Sequence, residues 1–488
     1  MTRSCESFLR RISDQRLHSR SKLTPKRLGL LVFFNLAIVT GNPIIAPSAH
    51  ADSGSSPVHF FEFDLLTVDT EGHPALSVSD SHGVLDAMLA GDTGKLLTIR
   101  KVLEQNPGPE PAFDIMRLAL CDAAIARTKG DIERSSRIIR QALQTAQPWS
   151  NPAHSVNPFN FMLMTLLSGN FLLEGNPPIW AAERTYLEQN LFAPIRAHYE
   201  KPSLDFSDVE QLRLTALPDA LPPLTTEGPR LDHVSFNPFA TIIDNSTVTT
   251  AAAKIDVDGS IAPAIINTGT VLGAVPASLQ RQHHWSQIGT FTEYGPSTKP
   301  PRIVKIVRVP SLTLGHTTFR NQMMMVIQSD FAVIGLQTLG ILRHVIMNEH
   351  EMTFGPDVPF TCRRHTSQLS SISGFKAGLL LPVTYEGKRS MAIMNTGENY
   401  PEPLVIDVAR LSNALSGSRK EQKIETATGN EQEKGVKHTT TLLIDGHLAH
   451  GAIRYRIGKA DQLPTLTMSA LEGRTLAFDL RAGIACLD

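Results

Sequence analysis

The chain has 488 residues, with 46 Lys and Arg against 47 Asp and Glu, 41% hydrophobic residues and 6% aromatic ones. That length predicts two or three domains, and the apolar fraction suffices for buried cores and is too high for a disordered chain. A net charge of −1 excludes a strongly basic nucleic-acid binder.

The near-neutral total is a sum of unlike parts. Residues 1–51 hold eight basic side chains, from Arg3 to Arg27, and two acidic ones, Glu6 and Asp14; that segment is +6 and the other 437 residues are −7. An apolar run from Leu28 to Val39 follows Lys26-Arg27, then the breakers Gly41-Asn42-Pro43, then Ala49-His50-Ala51. A basic head, a short apolar stretch and an A-x-A site predict a secretory signal peptide over 1–51, hence a bacterial periplasmic or secreted protein. The run is short for a membrane span, so the only membrane contact expected is the same signal left uncleaved as an anchor. The acidic remainder argues against nucleic acid and anionic membrane as partners.

Residues 52–81 read as an extended N-terminal segment. From 82 to 200 the pattern is helical. Met116, Ala119, Ala123 and Ala126 line one helix face, and Ile132, Ile139, Ala142, Leu143 and Ala146 line the next, with Gly130-Asp131 between as C-cap and acidic start. Two further helical stretches lie near Phe161–Leu167 and Pro178–Ala197. The region resembles tetratricopeptide-type hairpins, with a plain helical bundle as the alternative, and would dock a protein partner. Residues 201–235, with five prolines, read as a linker. Beyond it, short strands with Gly and Asp turns run to the end, so the fold class is mainly β after an α-helical domain.

Two passages of the β part read alike. Lys254 to Gly269 and Leu381 to Gly397 each contain a strand, an acidic residue with glycine as a tight turn, a second strand and Asn-Thr-Gly. Eight residues separate Gly259 from Asn267, and eight separate Gly387 from Asn395. The ends agree too: Phe354 to Cys362 and Phe478 to Cys486 are both eight apart, and Gly315-His316 matches Gly446-His447. The β part is therefore a tandem duplication, with lobe 1 at 236–362, an inter-lobe linker at 363–376 and lobe 2 at 377–488. Two such lobes pack about a pseudo-twofold axis with a cleft between them.

At these residues the chain resembles the aspartic peptidases, retropepsin-like or pepsin-like, in which each lobe carries strand, turn, strand and then Asp-Thr-Gly after two apolar residues. Ile265-Ile266 and Ile393-Met394 fill the apolar places. Val333-Ile334-Gly335 matches the family's later apolar-apolar-Gly stretch; in lobe 2 Thr467 stands where that glycine should be. The resemblance implies a two-lobed acid-protease-like tandem of β barrels. It also implies a dyad of two carboxyls, one accepting the proton of water while the other polarises the scissile carbonyl. Here both dyad positions are asparagine, Asn267 and Asn395. An amide cannot accept that proton, though it donates and accepts hydrogen bonds. The loop-supporting Thr268, Gly269, Thr396 and Gly397 remain.

The expectation is a pseudo-peptidase that binds a peptide or protein segment in its cleft. The alternatives are an active aspartic endopeptidase using another carboxylate, and a structural protein working through its helical domain. No cofactor and no metal are expected. Tyr294-Gly295 lies where the family has its flap, and polar Gly417–Lys437 is expected as a mobile loop in the corresponding place. Cys362 and Cys486 end equivalent lobes, so they are expected to meet near the axis as a disulfide, leaving Cys121 buried and reduced. Asp92-Thr93-Gly94 is read as a polar turn between helices, His283-His284 as a solvated loop and Met323–Ile327 as a core strand.

Overall fold

A computed structural model describes residues 63–68, 74–76, 83–107, 111–146, 158–192, 212–214, 221–243, 246–293, 302–363, 366–398, 400–408, 420–426, 429–449, 452–457 and 463–488. The expected signal peptide lies outside them. The short segments 63–68 and 74–76 pair as antiparallel strands.

Six helices follow: α1 (Val84–Leu89), α2 (Thr93–Gln105), α3 (Pro111–Thr128), α4 (Ile132–Thr145), α5 (Pro158–Leu173) and α6 (Pro177–Leu187). Their starts are set by capping side chains. Asp92 accepts from the Lys95 amide at 2.8 Å, and Asp131 accepts from the Arg134 amide at 3.0 Å. Gly130, at φ +76, makes the left-handed break between α3 and α4. The Asp92-Thr93-Gly94 segment is thus a helix start. Among the described residues no helix is long and apolar enough to cross a membrane.

The rest is mainly β, with a 14-stranded and a 10-stranded sheet. The duplication is visible in the pairing. Strand Ser246–Val257 turns through Asp258-Gly259 into Ser260–Ile266; strand Ala377–Tyr385 turns through Glu386-Gly387 into Lys388–Met394. Both turn residues have positive φ in each case, 54 and 88, then 49 and 74, as a two-residue hairpin turn of matching twist requires. In the first repeat, Ala332–Ile334 lies between Ser260–Ile266 and Gly273–Pro276, parallel to one and antiparallel to the other. In the second, Thr465–Leu466 lies in the same way between Lys388–Met394 and Leu404–Val408. Each Asn-Thr-Gly therefore sits in the crossover between two strands that a third strand separates.

The repeats share a sheet. Leu476–Asp479 of the second pairs antiparallel with Val345–Met347 of the first, with Phe478 opposite Val345. Cys362 and Cys486 are joined by a disulfide, Cα atoms 5.9 Å apart. Cys121 is a buried thiol.

Two cores result. One fills the inner faces of both repeats and includes Ile266, Ile334, Phe354, Met394, Leu466 and Phe478. Phe354 and Phe478 are fully buried, each contributing about 1.5–3 kcal/mol. The other core joins the helices to the opposite face of the first repeat: Phe113, Phe161 and Trp180 share it with Leu272, Ala274, Met325 and Val333. The helical region is thus packed on the first repeat's sheet.

Three stretches differ from expectation. The 201–235 stretch supplies short strands Leu212–Leu214 and Thr225–Glu227, which pair at Phe291 and Phe319, and strand Asp232–Ile243 begins before 236. Leu212–Leu214 is an edge strand, where neighbouring prolines cost no central ladder bond. The inter-lobe 363–376 stretch contains strand Gln368–Ser370, paired with Ala377–Leu379. Gly417–Lys437 holds a hairpin, Lys420–Thr426 with Gly429–Thr439, at the edge of the 10-stranded sheet. This stretch is polar in sequence, so apolar periodicity did not reveal its strands.

Candidate functional site

The two Asn-Thr-Gly loops meet. The Thr268 amide donates to Thr396 Oγ1 at 3.1 Å, and the Thr396 amide donates to Thr268 Oγ1 at 3.1 Å. Each hydroxyl then donates across to the other repeat's strand end, Thr268 to the Met394 carbonyl at 2.6 Å and Thr396 to the Ile266 carbonyl at 2.7 Å. Both threonines are buried, so a side chain without this reach would leave orphaned polar groups.

Strand insertion holds the asparagines. The Asn267 amide donates to the Ile334 carbonyl at 2.9 Å, and the Asn395 amide to the Leu466 carbonyl at 2.8 Å. Asn267 Oδ1 accepts from the Gly269 amide at 2.7 Å, and Asn395 Oδ1 from the Gly397 amide at 3.1 Å. Each side chain lies against the other loop's glycine. A Cβ on Gly269 would fall 2.4 Å from Asn395 Cγ, and one on Gly397 would fall 2.3 Å from Asn267 Cγ. These glycines are required by close approach.

Thr467, where a glycine was expected, has φ −92 and ψ 177, and Gly335 has φ −95 and ψ 178. That extended backbone suits any residue. Space decides instead: a Cβ on Gly335 would meet the Val271 carbonyl at 2.7 Å, whereas Thr467 has room and donates to the Glu402 carbonyl at 2.8 Å.

The loops are not equivalent. Asn267 is half-buried; Asn395 is only 2% exposed. Asn395 Nδ2 donates to Glu398 Oε2 at 3.4 Å. Glu398 Oε1 accepts from Arg456 Nη1 at 2.8 Å, and Asp407 Oδ2 accepts from Arg456 Nη2 at 3.0 Å. Arg454 pairs with Glu402 at 2.8 Å beside them. Burial pushes the Glu398 carboxyl up, against the pull of Arg456. Burial also opposes the charge on Arg456, but Glu398 and Asp407 outweigh it and hold the guanidinium protonated.

Sequence reasoning missed this cluster. Strand pairing explains its place: Val405 pairs with Arg454 and Asp407 with Arg456, where the first repeat pairs Ala274 with Met325 and Pro276 with Ile327. That face is apolar and covered by helices in the first repeat, and ionic in the second. The available signals were Glu398 directly after Asn-Thr-Gly, where the first repeat has Thr270, and two arginines alternating with Ile453, Tyr455 and Ile457.

The other candidates are placed as follows. Tyr294 and Gly295 lie outside the described residues; the strands flanking them, Gln287–Glu293 and Arg302–Leu314, are antiparallel with Glu293 opposite Arg302. His283 ends a short helix, stacks on Trp285 and shares a hydrogen bond with Ser260 Oγ at 2.8 Å, so it is no solvated loop residue. Asp256 accepts from the Gly259 amide at 2.7 Å and serves the hairpin turn. Met323–Ile327 belongs to strand Thr317–Ile327 and is buried. Among the described residues no group of three His, Cys, Asp or Glu could hold a metal ion.

Comparison with models of known protein families finds no match, and comparison with curated proteins finds none either.

Proposed function

We propose that the chain is an exported, two-lobed protein of aspartic-peptidase-like fold that binds a peptide or protein segment between its lobes and does not hydrolyse it. The observation that supports this reading is the mutual bracing of the two Asn-Thr-Gly loops, whose asparagines on this reading take the positions of the family's two carboxyls. Bracing of this kind requires two buried threonines and two close-packed glycines, and it is present here with an asparagine in each loop. An amide pair offers N–H and C=O groups at neutral charge, suited to the backbone of an extended peptide. The helical region would dock a partner with the surface that does not face the first repeat.

The alternative, a peptidase working through another carboxylate, has Glu398 in its favour. Against it, Glu398 is mostly buried and one of its oxygens is held by Arg456.

The test uses the purified full chain and a peptide library at acidic and neutral pH. The expected result is retention of extended peptides with no cleavage products by mass spectrometry, and loss of retention in Asn267→Leu. Cleavage that disappears on substituting Glu398 or either asparagine would overturn the proposal in favour of an active enzyme.

A further inference from the structure

We infer that Glu398 is a positioning residue of the inter-lobe site, and that its pairing with Asn395 is what demands an amide and not a carboxyl at position 395. The inference rests on the reading above only in treating the paired loops as a ligand site.

Asn395 is tied at both ends of its amide. Oδ1 takes the Gly397 N–H at 3.1 Å and Nδ2 gives a long hydrogen bond to Glu398 at 3.4 Å. The first repeat has no such tie. Thr270 occupies the place of Glu398 and donates to the Leu272 carbonyl at 3.2 Å, and among the described residues nothing accepts from Asn267 Nδ2. The half-buried Asn267 is therefore the amide that offers its N–H to a ligand carbonyl, and Asn395 is its fixed neighbour.

Glu398 is itself fixed. Arg456 holds one oxygen, and Asp407 holds the other side of that guanidinium. These three groups come from the Asn-Thr-Gly loop, strand Leu404–Val408 and strand Ala452–Ile457. The neighbouring charges are paired among themselves: Arg454 with Glu402 at 2.8 Å, Lys437 with Glu402 at 3.8 Å, and Arg454 over the Tyr400 ring at 5.0 Å. Among the described residues, the donors at the Glu398 carboxylate are Arg456 and Asn395. An aspartate at 395 would turn the donor into a second acceptor. Two carboxyls at this separation cannot both ionise cheaply, so one would keep a proton into the neutral range.

The test is unfolding by denaturant across pH for the full chain and four variants. Asn395→Asp is expected to lower the folding equilibrium constant about tenfold to a hundredfold at neutral pH, equivalent to one to two pKa units, and to recover as pH falls through the carboxylate range. The double variant Asn395→Asp with Glu398→Gln reverses donor and acceptor, keeps one carboxylate near Arg456, and is expected to regain most of the loss at neutral pH. Glu398→Gln alone gives the reference for that comparison. Asn267→Asp, which has no Glu398 beside it, should lack the recovery at low pH. Equal pH dependence in Asn267→Asp and Asn395→Asp, or no rescue by Glu398→Gln, overturns the inference.

Should a variant fail to fold, the parent labelled with ¹⁵N-asparagine supplies the answer. The Asn395 side-chain amide should shift with pH as Glu398 titrates, and the Asn267 amide should not; an unmoved Asn395 signal overturns the inference. Neither measurement uses a ligand. Failure here leaves peptide retention standing, and failure of retention leaves the Asn395–Glu398 pairing standing.

Discussion

Thr268 and Thr396 hold each other across the two repeats, the amide of each donating to the hydroxyl of the other at 3.1 Å. The two bonds are related as the repeats are, and each threonine hydroxyl passes its own proton on to the opposite strand end. Neither loop is complete without the other, so the site and the association of the repeats are one structure.

Removing one hydroxyl should be costly. Thr268→Ala orphans the Thr396 amide and the Met394 carbonyl, two buried groups at about 1–3 kcal/mol each. The expected loss is about 2–4 kcal/mol in denaturant unfolding, with Thr268→Ser recovering most of it.

The glycines opposite the asparagines should resist any side chain. Gly397→Ala forces a Cβ to 2.3 Å from Asn267 Cγ and is expected to cost about 1–3 kcal/mol. Asn267→Ala removes the obstacle, so the two substitutions together should cost less than their sum. A double-mutant cycle in unfolding free energy checks this.

The disulfide closes a separation of 124 residues and ties the end of the second repeat to the end of the first. Cys362→Ala with Cys486→Ala should lower stability by about 2–5 kcal/mol. Mass mapping of the unreduced protein should find the Cys362–Cys486 peptide pair.

Arg456 neutralises two buried acids. Arg456→Met leaves Glu398 and Asp407 together without a cation, at a cost of about 3–5 kcal/mol near neutral pH. Burial already holds the Glu398 carboxyl above its ordinary value, and loss of its cation pushes it further up. The penalty should therefore be full at neutral pH and shrink as pH falls and Glu398 takes up a proton, which unfolding curves at several pH values would show.

Glu183 of α6 makes the helical region sensitive to pH. Burial pushes its carboxyl up to about 7, with Arg140 opposing. Its folded pKa lies above the unfolded value of about 4.3, so the folded chain keeps the proton longer. Stability should be greatest below the unfolded value and decline as pH rises towards 7, by about 4 kcal/mol at most. Glu183→Gln should flatten that decline in thermal unfolding.

The sequence by itself determined the duplicated hairpins and the asparagines. Gly259 and Gly387 each stand eight residues before an asparagine, and that spacing depends only on a tight turn and the strand after it. Such features are local, and two-residue turns with positive φ admit few residue types. The helix start at Asp131 was legible for the same reason, since a cap bonds three residues ahead; Asp92, read as a polar turn, caps a helix in the same way. Tertiary structure decided what lies between distant segments. Glu398 and Arg456 are 58 residues apart, and nothing in either neighbourhood names the other as its partner. They meet because Leu404–Val408 runs parallel to Ala452–Ile457, an order set by packing of the whole sheet. The same order turned one face of the first repeat into a seat for helices and the matching face of the second into a layer of ions. Apolar periodicity reports that a face is buried; what buries it is fixed only when the chain has folded.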